Sequence, residues 1–124
     1  ESGCNWMGIA GQVFDTQGNP TRNILVNVGG VLNGKAVDML SMTGLATNYG
    51  PAGYEMVLAN AVNASTGTLW VQLYDLSGNP LSDKVQIDTY ADCQRNLTLV
   101  NFVLRAAPAG DYYIYLPVIY QQEW

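Results

Sequence analysis

The chain has 124 residues, 48% of them hydrophobic and 12% charged, with a net charge of −5 and no histidine. That length makes a single domain with room for a core, and no apolar run reaches the roughly 18 residues a bilayer-spanning helix needs. The cations are Arg22, Lys35, Lys84, Arg95 and Arg105, too few and too scattered to form a basic stripe for a phosphate backbone, so nucleic acid is not expected as a partner.

Helical periodicity is nearly absent. Runs rich in Val, Ile, Thr, Tyr and Trp recur between Gly, Asn, Asp and Pro clusters, which predicts an all-β chain. The expected strands are 6–15, 23–29, 36–43, 53–59, 68–75, 84–89, 96–104 and 112–120. The chain starts at Glu1, which fits a processed or excised product whose signal peptide, if it had one, has been removed. Cys4, just ahead of the first strand, pairs by arithmetic with Cys93; an even cysteine count in a small β-rich chain predicts one disulfide and an extracellular or cell-surface location. The first strand runs into Phe14-Asp15-Thr16-Gln17-Gly18-Asn19-Pro20, a turn in which Asp bonds its own backbone and Gly takes positive φ.

In the second strand Ile24, Val26 and Val28 share a face, and in the fourth Tyr54, Met56 and Leu58 do. Leu69, Val71 and Leu73 follow in the fifth, then Val85 and Ile87 in the sixth. The positions between them, among them Asn27, Glu55, Gln72, Gln86 and Asp88, are polar, as expected where one sheet face packs and the other meets solvent. The fifth strand ends in Tyr74-Asp75-Leu76-Ser77-Gly78-Asn79-Pro80, sixty residues after its match, and the two turns are read as hairpin turns at equivalent corners of one sandwich. Strand 96–104 is apolar on both faces, Leu97, Leu99 and Val103 against Val100, Phe102 and Leu104, and belongs at a central position or a subunit contact.

The string from Gly8 to Pro20, followed by Ile24-Leu25-Val26-Asn27-Val28, resembles the opening of carboxypeptidase regulatory-like domains, whose pattern is G-x-V-x-D-x-x-G-x-P and then a second strand. Thr43-Gly44 and Gly53-Tyr54 fit the same family. The resemblance covers about residues 6–104. It implies a transthyretin-like (prealbumin-like) β-sandwich and a non-catalytic accessory or adhesive role in secreted and surface proteins.

The departure from that pattern is the end of the chain. Residues 105–110, Arg105-Ala106-Ala107-Pro108-Ala109-Gly110, read as a linker between a sandwich domain at 1–104 and a separate strand at 111–124. No charge falls between Asp111 and Glu123, and a bare strand of that kind is an aggregation template. The expected architecture is therefore an antiparallel sandwich of about seven strands plus a C-terminal extension strand reminiscent of donor-strand pilins. Tyr112, Ile114, Leu116, Val118 and Tyr120 form the face expected to enter a groove, with Tyr115 and Ile119 on the other face of the same subunit contact. Pro117 has no ladder donor, so a bulge or an outward-facing nitrogen is expected there. The partner predicted is a second copy of the chain, in a homopolymeric filament; the alternative is that the tail folds back as the eighth strand of its own sandwich.

Enzymatic chemistry is not expected. The absence of histidine removes the commonest general base and the Ser-His and Cys-His pairs. Asp15, Asp75, Asp83, Asp88 and Asp92 fall at turns or strand edges, where Asp starts turns and solvates surfaces. Asp83, Asp88 and Asp92 are a candidate calcium cluster without EF-hand spacing, so no metal and no cofactor is predicted. Trp6, Trp70, Trp124 and the tyrosines make carbohydrate the alternative ligand. Asn63-Ala64-Ser65 and Asn96-Leu97-Thr98 match the N-glycosylation pattern and make Asn63 and Asn96 candidate acceptors.

Overall fold

The computed structural model describes residues 3–107, 110 and 112–122; backbone alone is described at 121 and 122. Pro108 and Ala109 of the expected linker, and Asp111, Glu123 and Trp124 of the expected terminal strand, lie outside the described residues.

Eight strands form a β-sandwich: β1 Met7–Phe14, β2 Leu25–Leu32, β3 Lys35–Met42, β4 Gly53–Ala59, β5 Ser65–Tyr74, β6 Val85–Thr89, β7 Leu97–Ala106 and β8 Tyr113–Gln122. One sheet has the order β4-β1-β7-β8 and the other β3-β2-β5-β6. Each sheet turns one face to the other, so the period of two in the sequence sorts side chains directly. Val26, Val28, Leu69, Val71, Leu73 and Ile87 enter the core from one sheet, and Ile9, Val13, Tyr54, Met56, Val100 and Phe102 from the other. Burying side chains of this size stabilises by roughly 1.5 to 3 kcal/mol each before ordering costs, which is why the alternation survives in every one of these strands.

Two features differ from the expected plan. β1 and β7 run parallel, Gly8 opposite Leu97 and Ala10 opposite Leu99, so the sandwich is mostly rather than wholly antiparallel. Alternation along a strand fixes which face is buried and carries no information about the direction of a partner ninety residues away. Second, β7 continues through Arg105 and Ala106, the first two residues of the expected linker, and β8 pairs antiparallel with β7 of its own chain over ten residue pairs, from Leu97↔Gln122 to Ala106↔Tyr113. The strand that is apolar on both faces, β7, is accordingly central, flanked by β1 and β8.

The two matched turns adopt one design. In each, the Asp Oδ1 accepts two backbone amides at 2.9 Å, from Gln17 and Asn19 in the first and from Ser77 and Asn79 in the second. Gly18 and Gly78 take φ of 82° and 87°, and Pro20 and Pro80 return to bridge Phe14 and Tyr74. Only the second is a hairpin turn in the ordinary sense, because β5 and β6 pair in one sheet, whereas the first carries the chain from β1 in one sheet to β2 in the other. The amide of Asn19 above all holds the Asp15 carboxyl below its ordinary value, and Asn79 does the same for Asp75. A depressed carboxyl stabilises the fold above its unfolded value of 3.8, and that contribution is lost as pH falls through the folded value. Acid unfolding followed by circular dichroism is therefore expected to be less steep below that pH in Asp75→Asn than in the native chain, and an unaltered acid limb would contradict the corner's role.

Candidate assembly surface on the C-terminal strand

The geometry of β8 follows from one bond. The Tyr115 amide donates not to β7 but to the Leu81 carbonyl at 3.2 Å, while the Tyr112 carbonyl accepts from Ala107. Even-numbered residues of β8 therefore direct their peptide groups to β7, and odd-numbered ones direct theirs to the open edge. Pro117 stands opposite Phe102 in an unbroken register and falls in the odd set, so its nitrogen faces outward and removes a donor from the edge rather than from the ladder. The sequence stated this choice as two alternatives, and register selects the second.

Side chains divide in the same way. Tyr113, Tyr115, Pro117 and Ile119 lie on the face turned toward the other sheet, because their partners Leu104, Phe102 and Val100 are core residues. Only Tyr115 is buried, at 8% exposure. The face expected to enter a groove, Tyr112, Ile114, Leu116, Val118 and Tyr120, is the outer one. Folding back into the sheet leaves it in solvent: Leu116 is 43% exposed, Val118 52% and Tyr120 50%, and on the inner face Ile119 remains 45% exposed. Opposite these on β7 stand Leu99, Asn101 and Val103, half-buried and uncharged, with Arg105 at the end of the row. The ladder satisfies the half of this strand's backbone that faces β7 and leaves most of its described apolar side chains uncovered, which is unusual for a free surface.

Elsewhere the predicted residues are placed as follows. Cys4 and Cys93 form a disulfide with Cα atoms 4.5 Å apart. Asn96 is 1% exposed and its Nδ2 donates to the Gly3 carbonyl, which ties the start of β7 to the segment ahead of β1. Asn63 lies half-buried in the β4–β5 connection, its Nδ2 bonded to the Ala61 carbonyl at 3.1 Å. Among the described residues Trp6 and Trp70 lie against strands of different sheets and do not share a platform. Trp6 is buried against Ala10 and Leu97, and the ring of Trp70 lies on Gly29, where a Cβ would meet it at 2.7 Å, with the Lys84 ammonium 4.4 Å from its centroid. Trp6 and Trp70 each cover a strand glycine, Gly8 and Gly29, and Trp124 lies outside the described residues.

The three carboxylates of the candidate calcium cluster have separate duties. Asp88 accepts the Gly67 amide, Asp92 pairs with Arg95 at 3.1 Å, and Asp83 is exposed on the approach to β6. Among the described residues no group of three His, Cys, Asp or Glu side chains is arranged to hold a metal ion. No helix of the described residues is long and apolar enough to cross a membrane. What sequence reasoning missed is the socket that receives Tyr115 between the two corners; the signal was present in the matched Pro20-Thr21 and Pro80-Leu81 steps. Neither a family model, nor a curated protein, nor a solved structure matches the chain.

Proposed function

We propose that the protein is a non-catalytic structural subunit of an extracellular, filament-like assembly, and that copies of it join through the segment Tyr112–Tyr120. The observation that carries this reading is the exposure of Leu116, Val118, Ile119 and Tyr120 after β8 has already found a ladder partner. A terminal strand whose only need was backbone pairing has no use for an apolar outer row, since lysine or threonine there keeps an edge soluble. Strand donation is the mode of joining: a ladder between β8 and β7 has the same bonds whether the two strands belong to one chain or to neighbours. Donation by itself leaves the outer row bare, so the assembled form also packs that row against another copy. The Cys4–Cys93 disulfide supports an oxidising, extracellular setting, and the two four-stranded sheets with their paired corners support the resemblance to carboxypeptidase regulatory-like domains. The alternative of an accessory carbohydrate-binding module has less support, because the rings of Trp6 and Trp70 are already covered.

Removal of residues 111–124 is expected to abolish self-association in sedimentation velocity and the particles seen by electron microscopy. The paired substitution Leu116→Asp with Val118→Asp separates lost assembly from lost folding, since exposed sites change stability by about 0.5 kcal/mol or less while two charges disrupt an apolar contact. Association that persists in both variants, or an intact chain that is monomeric at every concentration, would rule the proposal out.

A further inference from the structure

Among the described side chains of β8 Tyr115 alone is buried, and its seat is made by the two matched corners together. Thr21 follows Pro20 in the first corner and Leu81 follows Pro80 in the second. Each sends its amide back to the strand that entered its corner, Thr21 to the Val13 carbonyl and Leu81 to the Leu73 carbonyl, both at 2.8 Å. The two residues are structural equivalents sixty positions apart, and Tyr115 engages both. Its amide donates to the Leu81 carbonyl, its hydroxyl end lies near the Thr21 side chain and the Asp15 carboxylate of the first corner, and its ring joins the core. A cleft of about 320 Å³ alongside, lined by Pro80, Leu81, Ser82 and Asp83 with Tyr112 and Tyr113, leaves an open approach to the seat.

We propose that the paired corners form a socket that a second copy's Tyr115 can fill, which makes this tyrosine the anchor for exchange of β8 between molecules. The inference rests on assembly through β8 as proposed above and names the residue that decides it. Three observations point to a second copy as occupant. The chain's own β8 demonstrates the fit. Residues 112–122 carry no charge, so a strand from another molecule meets no repulsion at the socket although each chain has a net charge of −5. The remaining contacts of β8 are a ladder that depends little on side-chain identity, leaving Tyr115 as the specific element. Within the β7–β8 loop, the bonds from the Ala107 amide to the Tyr112 carbonyl and from the Gly110 amide to the Ala107 carbonyl are released when the strand leaves.

The test uses intact protein and fluorescent peptides spanning residues 111–124. Incorporation is read as label co-eluting with protein after long incubation. The native peptide is expected to enter, and a Tyr115→Ala peptide at least about tenfold less, since a lost buried aromatic costs more than that factor. A Tyr115→Phe peptide falls between them. Equal entry of the Tyr115→Ala peptide, or entry of none, overturns the anchor. Sedimentation of the same protein tells the two ideas apart: self-association with no dependence on Tyr115 removes the anchor and leaves assembly through β8, whereas a strictly monomeric protein removes that assembly as well.

Discussion

Replacing Cys4 and Cys93 together by serine is expected to lower the stability of the folded chain by about 4 to 5 kcal/mol, the loop-closure contribution of a bridge that spans 89 residues. The bridge sits where the fold makes it cheap to form. β1 and β7 are parallel neighbours with Gly8 opposite Leu97, and each cysteine lies four residues ahead of its strand's member of that pair. The disulfide therefore ties the starts of two adjacent strands whose ladder is closed by the Gly8 amide on the Asn96 carbonyl and whose flank is held by Asn96 Nδ2 on the Gly3 carbonyl. In the reduced unfolded chain those segments must find each other across the whole sandwich. The measurement is the midpoint of chemical denaturation at constant slope, accompanied by a fall in Tm of roughly 10 to 25 °C. A double-serine variant with the midpoint of the native protein would show that the bridge follows the fold without supporting it.

Tyr54 is the residue whose truncation should cost most in the core. It is fully buried in β4, and its hydroxyl donates to the Val100 carbonyl on β7 at 2.6 Å, reaching across β1. The reach is needed because the parallel ladder between β1 and β7 is interrupted. Pairs run from Gly8↔Leu97 to Ala10↔Leu99 and resume at Val13↔Phe102, and in the gap the Gln12 amide turns to the Asn101 side chain at 2.8 Å. The Val100 carbonyl then stands over Gly11, so close that a Cβ there would meet it at 2.0 Å. Burial pushes the phenol well above its ordinary value, so Tyr54 remains a donor at any pH the fold survives. Tyr54→Phe leaves the Val100 carbonyl buried without this partner and is expected to cost about 1 to 3 kcal/mol. Tyr54→Ala adds a cavity and is expected to cost about 3 to 5 kcal/mol. Equal stabilities of Tyr54→Phe and the native chain in denaturant titration would show that the hydroxyl is dispensable.

The outer row of β8 makes a different kind of demand on the molecule. A strand paired along one edge, with uncovered side chains, has solved half of its burial problem within the chain. In the proposed assembly the half that remains is met by another copy, and the position of Pro117 on the open edge would direct it to the face of the strand rather than to its edge.

The sequence by itself determined which side of most strands is buried. Val26 and Val28, or Leu69, Val71 and Leu73, alternate with polar residues, and a period of two leaves one solution. It determined both corners, because Asp, Gly and Pro at those spacings act through bonds and φ angles local to the turn. It also determined the disulfide, from composition alone. Tertiary structure decided the parallel pairing of β1 with β7, the sheet to which each corner leads, and above all the placement of β8. A ribbon that is apolar on both faces carries no mark of which face is inner, and its partner is chosen by ladder bonds and a socket assembled from residues 21 and 81, far apart in the chain. Local chemistry writes faces and turns; pairing is a property of the whole chain, settled where all the edges compete for the same strand.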